Sequence, residues 1–233
     1  TSQFAEDSSP LAHPIRPEAY RAIWNFYTST VYQKGAEVIR MLRTLLGPEN
    51  FRNGTDLFFQ RHDGQVVTTE EFVAAMEAVS NRDLSQFRRW YSRAGTPRVD
   101  IEGDYHVEEK QFTLTVKQVC QEASDALVKV PLPIPVAIGL VGKNGILPFV
   151  LNNANDTHDQ TIQGKDKTQD TIVLELTEAE QIFVFDQVDE NPVPLLFKDF
   201  SAPVKWTYDY SLDDLLRILR VGNNDYSRWE TSQ

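Results

Sequence analysis

The chain has 233 residues, of which 41% are hydrophobic and 24% are charged, the ordinary balance of a globular protein. Its formal net charge of −11, with no cluster of basic residues, excludes nucleic acid and anionic membrane surfaces as partners. No run of about 18 apolar residues occurs, so no membrane span is predicted.

Helical spacing dominates the first 96 residues. The first run predicts a helix in which Tyr20, Ile23, Trp24, Tyr27 and Val31 recur at helical spacing. A second run reaches Leu46, where Gly47 is a helix stop and Pro48 suits the start of another helix. That helix is expected to bury Phe51, Phe58 and Phe59.

Two further helices are predicted before residue 97. Thr68 and Glu71 have the spacing of a capping box, in which each side chain bonds the other's backbone amide. Asp83 can cap a helix that carries Leu84, Phe87 and Tyr91.

From Pro97 the hydrophobic period changes from about 3.6 to 2 residues, which indicates strands. Phe112, Leu114 and Val116 alternate with polar residues, and similar short runs follow as far as residue 210. Several short strands separated by turns are typical of a β-sandwich. At Ser211 the pattern becomes helical again, and Ser211 is the expected cap.

The residues alone give little sign of catalytic chemistry. The four histidines, His13, His62, His106 and His158, are far apart in sequence, and the zinc motif H-E-x-x-H is absent. The single cysteine, Cys120, precludes an internal disulfide, fits a reducing compartment and is expected to be an unreactive thiol. His158 is expected to be a solvated loop residue.

One segment resembles a known family. Tyr32-Gln33-Lys34-Gly35-Ala36 resembles a pattern of the aminopeptidase N (alanyl aminopeptidase) family of gluzincin zinc metallopeptidases, particularly its bacterial branch. Gln33 departs from a glutamate common in that branch, at a position without an assigned catalytic role. Further segments resemble the same family in the same chain order: residues 4–7, 12–17, 87–91, 95–97, 200–205 and 224–229.

The resemblance implies roles for two tyrosines. Tyr32 matches the tyrosine that donates a hydrogen bond to the oxyanion of the tetrahedral intermediate, while zinc polarises the scissile carbonyl and activates water. A phenol keeps its proton at neutral pH and can serve as such a donor. Tyr27 is implied to line the pocket for the substrate's first side chain. The residues themselves also allow Tyr32 to be a packed helix tyrosine and Tyr27 to pack with Ile23 and Trp24.

The implied fold class is an α+β multidomain fragment. Residues 1–96 would be the C-terminal helical part of a thermolysin-like catalytic domain, residues 97–208 an all-β Ig-like sandwich, and residues 209–233 the start of a helical domain. The zinc ligands would precede Thr1, so this chain is expected to hold no metal ligand and to be inactive alone. Its expected partners are peptide substrates and the missing catalytic and C-terminal domains, in the cytoplasm.

A second hypothesis is a different class of protein. Without the resemblance, a helical lobe joined to a β-sandwich is equally compatible with a non-catalytic interaction or scaffold protein that binds through its sheets.

Overall fold

A computed structural model describes residues 2–119, 130–152 and 171–232. The described chain forms two compact units, one of residues 2–96 and 130–133, the other of residues 97–119, 134–152 and 171–232. The order of a helical segment, then β-sheets, then helices confirms the predicted α+β class. Cys120 and His158 lie outside the described residues.

The helical unit combines α-helices with two short helices of other types. Its elements are α1 Ser2–Asp7, a 3₁₀ helix Ile23–Phe26, a π-helix Thr30–Lys34, α2 Gly35–His62, α3 Thr69–Ser80 and α4 Arg89–Ser92. α2 is broken where predicted, because Gly47 has φ 78° and ψ 159°. The capping box before α3 is also confirmed: the Glu71 carboxylate accepts from the Thr68 amide at 2.7 Å, and the Thr68 hydroxyl accepts from the Glu70 amide.

The first predicted helix is wrong. Between Tyr20 and Thr30 the described backbone holds only the 3₁₀ turn, and Tyr20, Ile23, Trp24 and Tyr27 are between 58% and 72% exposed. The Asn25 side chain accepts hydrogen bonds from the amides of Arg21 and Ala22, a local turn that competes with an α-helix. In this chain the residues at helical spacing therefore form an exposed apolar surface and not an α-helix.

Two other expectations in this unit need correction. Phe59 is exposed, whereas Phe58 contacts Phe72 of α3 with ring centroids 5.4 Å apart. Asp83 accepts from the Ser85 amide at 2.8 Å, but a turn follows and the only α-helix in this stretch of the described chain is α4.

The second unit contains two sheets. Its strands are β1 Arg98–His106, β2 Gln111–Val119, β3 Ile134–Val141, β4 Ile146–Leu147, β5 Val150–Asn152, β6 Ile172–Leu176, β7 Glu180–Asp186, β8 Val193–Leu195 and β9 Lys205–Thr207. One sheet has the order β5-β7-β2-β1-β9, and the other has β4-β3-β6 with β8 also paired to β3. β2 alternates buried and half-buried residues as predicted, while every residue of β3 is buried.

Two helices end the described chain and belong to this unit: α5 Leu212–Val221 and α6 Asp225–Thr231. Ser211 caps α5 as predicted, since its hydroxyl accepts from the Asp214 amide at 3.2 Å. Ile218 anchors α5 in a buried cluster with Val141 of β3 and with Val193 and Leu195 of β8. No helix in the described part of the chain is both long and apolar enough to cross a bilayer.

Gly54 is required where α2 packs against α3. A Cβ added there would overlap the Met76 sulfur and stand 3.2 Å from the Met76 Cα, a backbone atom that cannot rotate away. We expect Gly54→Ala to lower the free energy of unfolding, because overpacking costs about 1–3 kcal/mol. That cost exceeds the gain of about 1 kcal/mol in helix propensity. Denaturant unfolding of the chain measures the difference.

Gly35→Ala is the matched control. Gly35 has helical dihedral angles, and its added Cβ would meet only the Ile15 Cγ2 at an ordinary 3.5 Å. Its stability should stay unchanged or rise by up to about 1 kcal/mol. Equal effects of the two substitutions would contradict the close contact at Gly54.

Candidate active site

Tyr32 lies at the centre of the π-helix Thr30–Lys34. The Gly35 amide donates to the Thr30 carbonyl, and a hydrogen bond between residues five apart defines a π-helix. Thr28 accepts two hydrogen bonds at the start of the turn. Its hydroxyl accepts from the Val31 amide and its carbonyl accepts from the Tyr32 amide, both at 3.1 Å. Single-turn π-helices are rare and occur frequently at functional sites. Residues 30–34 are called the π-turn.

The end of this turn is fixed by a buried ion pair. Lys34 is only 1% exposed, and its Nζ lies 2.7 Å from the Asp7 carboxylate and 2.9 Å from the Gly95 carbonyl oxygen. Asp7 also accepts from the Thr96 hydroxyl at 2.8 Å and from the Gly95 amide at 3.2 Å. One carboxylate therefore ties α1, the π-turn and residues 95–96 together.

The beginning of the turn is held by the neighbouring carboxylate, Glu6. It accepts from the Thr30 amide at 2.8 Å, from the Thr30 hydroxyl at 2.6 Å and from the Ser29 amide at 3.4 Å. His13 approaches the same carboxylate, with its Nε2 3.8 Å from the Glu6 Oε1.

The two tyrosines of the resemblance lie side by side. The ring centroids of Tyr27 and Tyr32 are 6.0 Å apart, and the ring planes differ by 15°. Tyr27 is 70% exposed and Tyr32 59% exposed. Ile23 and Trp24 are exposed as well, so within this chain Tyr27 does not pack with them in a core. Tyr32 is likewise not packed into a core of this chain.

This arrangement places a hydrogen-bond donor beside an apolar ring face. An exposed phenol can donate a hydrogen bond to an oxygen of a bound molecule. The parallel ring of Tyr27 offers an apolar face beside that donor. The catalytic roles of both residues remain predictions at this point.

A metal site does not form from the described residues. No group of three or more histidine, cysteine, aspartate or glutamate side chains comes together within the described ranges. His62 contacts the Phe58 ring, and His106 lies 3.5 Å from Asp104, a single carboxylate. These residues do not supply the three protein ligands of a catalytic zinc.

The residues that hold the turn were not identified from the sequence. Glu6, Asp7 and Lys34 fell within segments of the family resemblance, but no spacing rule connects them. Lys34 meets Asp7 across 27 residues and Gly95 across 61 residues, so only the fold reveals the pair.

Two family models match the chain. Residues 1–91 match "Peptidase family M1 domain", and residues 95–209 match "Domain of unknown function (DUF3458) Ig-like fold". The second match agrees with the two-sheet unit and with the predicted Ig-like class.

Similar proteins cover almost the whole chain. Aminopeptidase N of Escherichia coli (strain K12) is 48% identical over 231 residues, 99% of this chain and 25% of the relative. Aminopeptidase N of Haemophilus influenzae is 44% identical over 233 residues, 100% of this chain and 25% of the relative. A solved structure, aminopeptidase A of Legionella pneumophila in complex with aspartic acid, matches with a TM-score of 0.79 and 27% identity, covering 98% of this chain and 24% of that one.

The chain thus spans about a quarter of the length of these relatives. Its helical unit carries the peptidase match, its sheet unit carries the Ig-like match, and the similarity to bacterial aminopeptidase N continues through both. The chain therefore belongs to the aminopeptidase N family of M1 peptidases.

Proposed function

We propose that this chain is part of a zinc-dependent aminopeptidase that hydrolyses N-terminal residues from peptides, and that it contributes the oxyanion-stabilising Tyr32. The observation that carries the proposal is the exposed Tyr32 phenol on a π-turn whose two ends are anchored. The relatives that match the whole chain are aminopeptidases, which favours an enzyme over a scaffold that binds through its sheets.

Tyr32 would contribute a hydrogen-bond donor that is already in position before the reaction begins. Negative charge grows on the scissile carbonyl oxygen as the tetrahedral intermediate forms, and a fixed hydrogen-bond donor at that oxygen stabilises the charge. An anchored turn adds to this effect because little reorganisation is needed during the reaction.

Tyr27 would line the pocket for the substrate's first side chain. Its ring is parallel to that of Tyr32, so a side chain packed on Tyr27 lies beside the phenol that meets the carbonyl oxygen. The first residue of the peptide carries both groups, which makes adjacent contacts for them reasonable.

In this proposal, the zinc site of the enzyme lies outside this sequence. Zinc supplies carbonyl polarisation and an activated water when bound, and its ligands belong to the part of the catalytic domain before residue 1. Residues 1–96 would complete that domain, residues 97–208 would form the β-domain, and residues 209–233 would begin a helical domain. A single cysteine agrees with a cytoplasmic location.

Removing the phenol oxygen tests the role of Tyr32. In the full-length parent enzyme we expect Tyr32→Phe to lower kcat by about 10²–10³ with a much smaller change in KM, because one oxyanion donor is lost. Steady-state hydrolysis of an aminoacyl arylamide gives both constants. Tyr20→Phe is the control, since it removes the hydroxyl of another exposed tyrosine and should keep kcat. A near-normal kcat for Tyr32→Phe would remove Tyr32 from the mechanism.

Truncating Tyr27 tests the pocket. Tyr27→Ala removes a large apolar face, so the ratio of kcat/KM between substrates with large and small first side chains should change by about 10–200-fold. The measurement compares phenylalanyl, leucyl and alanyl arylamides in the full-length enzyme. Equal losses for all three substrates would show that Tyr27 does not contact the side chain.

Metal analysis of the 233-residue chain alone tests where the zinc ligands lie. We expect no stoichiometric, tightly bound zinc and no cleavage of aminoacyl arylamides, because three ligands do not come together in its described residues. Elemental analysis after dialysis provides the ratio of zinc to protein. One zinc per chain accompanied by activity would refute the proposed division.

A further inference from the structure

We propose that the adjacent carboxylates Glu6 and Asp7 are positioning residues for Tyr32, each holding one end of the π-turn that carries the phenol. The inference rests on the proposed role of Tyr32 and adds residues to which no role has been assigned. Neither carboxylate would touch the substrate, and both would act through the backbone of residues 30–34.

At the start of the turn, Glu6 does the work of a capping residue from outside the turn. Ser29, the residue before the π-helix, has helical dihedral angles and makes no side-chain cap of its own. Glu6 satisfies the free amides of Ser29 and Thr30 instead, and it also accepts from the Thr30 hydroxyl. First-turn amides of a helix need such partners.

The charge state of Glu6 agrees with this use. Burial by itself would raise the pKa of the Glu6 carboxyl, but hydrogen bonds from the Thr30 hydroxyl and from the Thr30 and Ser29 amides, with the nearby His13, hold it below its usual value. Glu6 is therefore a carboxylate at neutral pH, and its bonds to the turn are charge-assisted. Negative charge is also favoured at the N-terminal end of a helical turn.

At the other end, Asp7 holds Lys34 through the buried ion pair. Glu6 and Asp7 are consecutive residues at the end of α1, so both contacts with the turn are made from one end of this helix. Tyr32 lies two residues from each end of the five-residue turn. Two residues of α1 therefore bond to the backbone segment of Tyr32, one before it and one after it.

An exposed side chain needs this kind of support. Within this chain Tyr32 is more than half exposed, and its ring stacks on that of Tyr27. The direction of the phenol then depends on the backbone of the turn. A displacement of about 1 Å in a reacting group can cost on the order of 100-fold in rate.

The experiment measures coupling between Glu6 and Tyr32 in the full-length parent enzyme. We expect Glu6→Ala to lower kcat about 10- to 100-fold with little change in KM, and Glu6→Gln, which keeps one acceptor oxygen, to recover part of the loss. Thr30→Val removes the hydroxyl that donates to Glu6 and leaves the Glu6 carboxylate in place. It should reproduce part of the loss in kcat. Activities are normalised to the zinc content of each variant.

The decisive comparison is the double variant with Tyr32→Phe. If Glu6 acts through the phenol, Glu6→Ala should have almost no further effect on kcat once the phenol oxygen is gone. Losses that multiply in the double variant would overturn the positioning role, as would a normal kcat for both Glu6→Ala and Thr30→Val. A normal kcat for Tyr32→Phe alone would instead refute the proposed function itself.

Glu37→Ala is the matched control. Glu37 is a half-buried glutamate in the first turn of α2, and its carboxylate pairs with Arg40 at 2.6 Å. It should leave kcat unchanged. Amide hydrogen exchange of residues 28–35 should rise in Glu6→Ala and stay constant in Glu37→Ala, and unchanged exchange in both would contradict the anchoring of the turn by Glu6.

Discussion

The helical unit depends on the buried ion pair between Lys34 and Asp7. Removing two charges from water is expensive, and it is tolerated where the remaining donors and acceptors are satisfied. The Asp7 carboxylate accepts from the Gln3 side-chain amide, the Thr96 hydroxyl and the Gly95 backbone amide. The Lys34 ammonium also donates to the Gly95 carbonyl. Burial lowers the pKa of Lys34, and the bond to Asp7 opposes that shift. Loss of either partner would leave an uncompensated charge where α1, the π-turn and residues 95–96 meet.

Local signals in the sequence predicted much of the fold, because they depend on residues close together in the chain. The caps at Thr68 and Ser211 involve partners three residues away, and the break at Gly47 follows from one residue's dihedral angles. Alternation in β2 appears because one of its faces is buried. β3 is buried along its whole length and pairs with β4, β6 and β8, an arrangement that only the assembled sheet defines.

The failures have a different physical origin. Spacing from Tyr20 to Val31 matched a helix, but periodicity reports only which side chains share a face, not whether anything covers that face. The Asn25 side chain closes a local turn there instead. The importance of Lys34 was also hidden, since its partners Asp7 and Gly95 are distant in sequence. For the site, only the resemblance suggested Tyr32 and Tyr27, and nothing in the residue pattern pointed to Glu6.

A single turn combines two opposite requirements. A phenol that meets a substrate must be exposed, yet an exposed side chain loses the packing that would fix it. Here Tyr32 is exposed and Lys34, two residues later, is almost completely buried. The π-helix Thr30–Lys34 joins them, so the exposed phenol and the buried ion pair lie two residues apart on one backbone segment. In the proposed mechanism, the buried ion pair would help to fix the backbone that directs Tyr32, which would account for a costly ion pair so near this tyrosine.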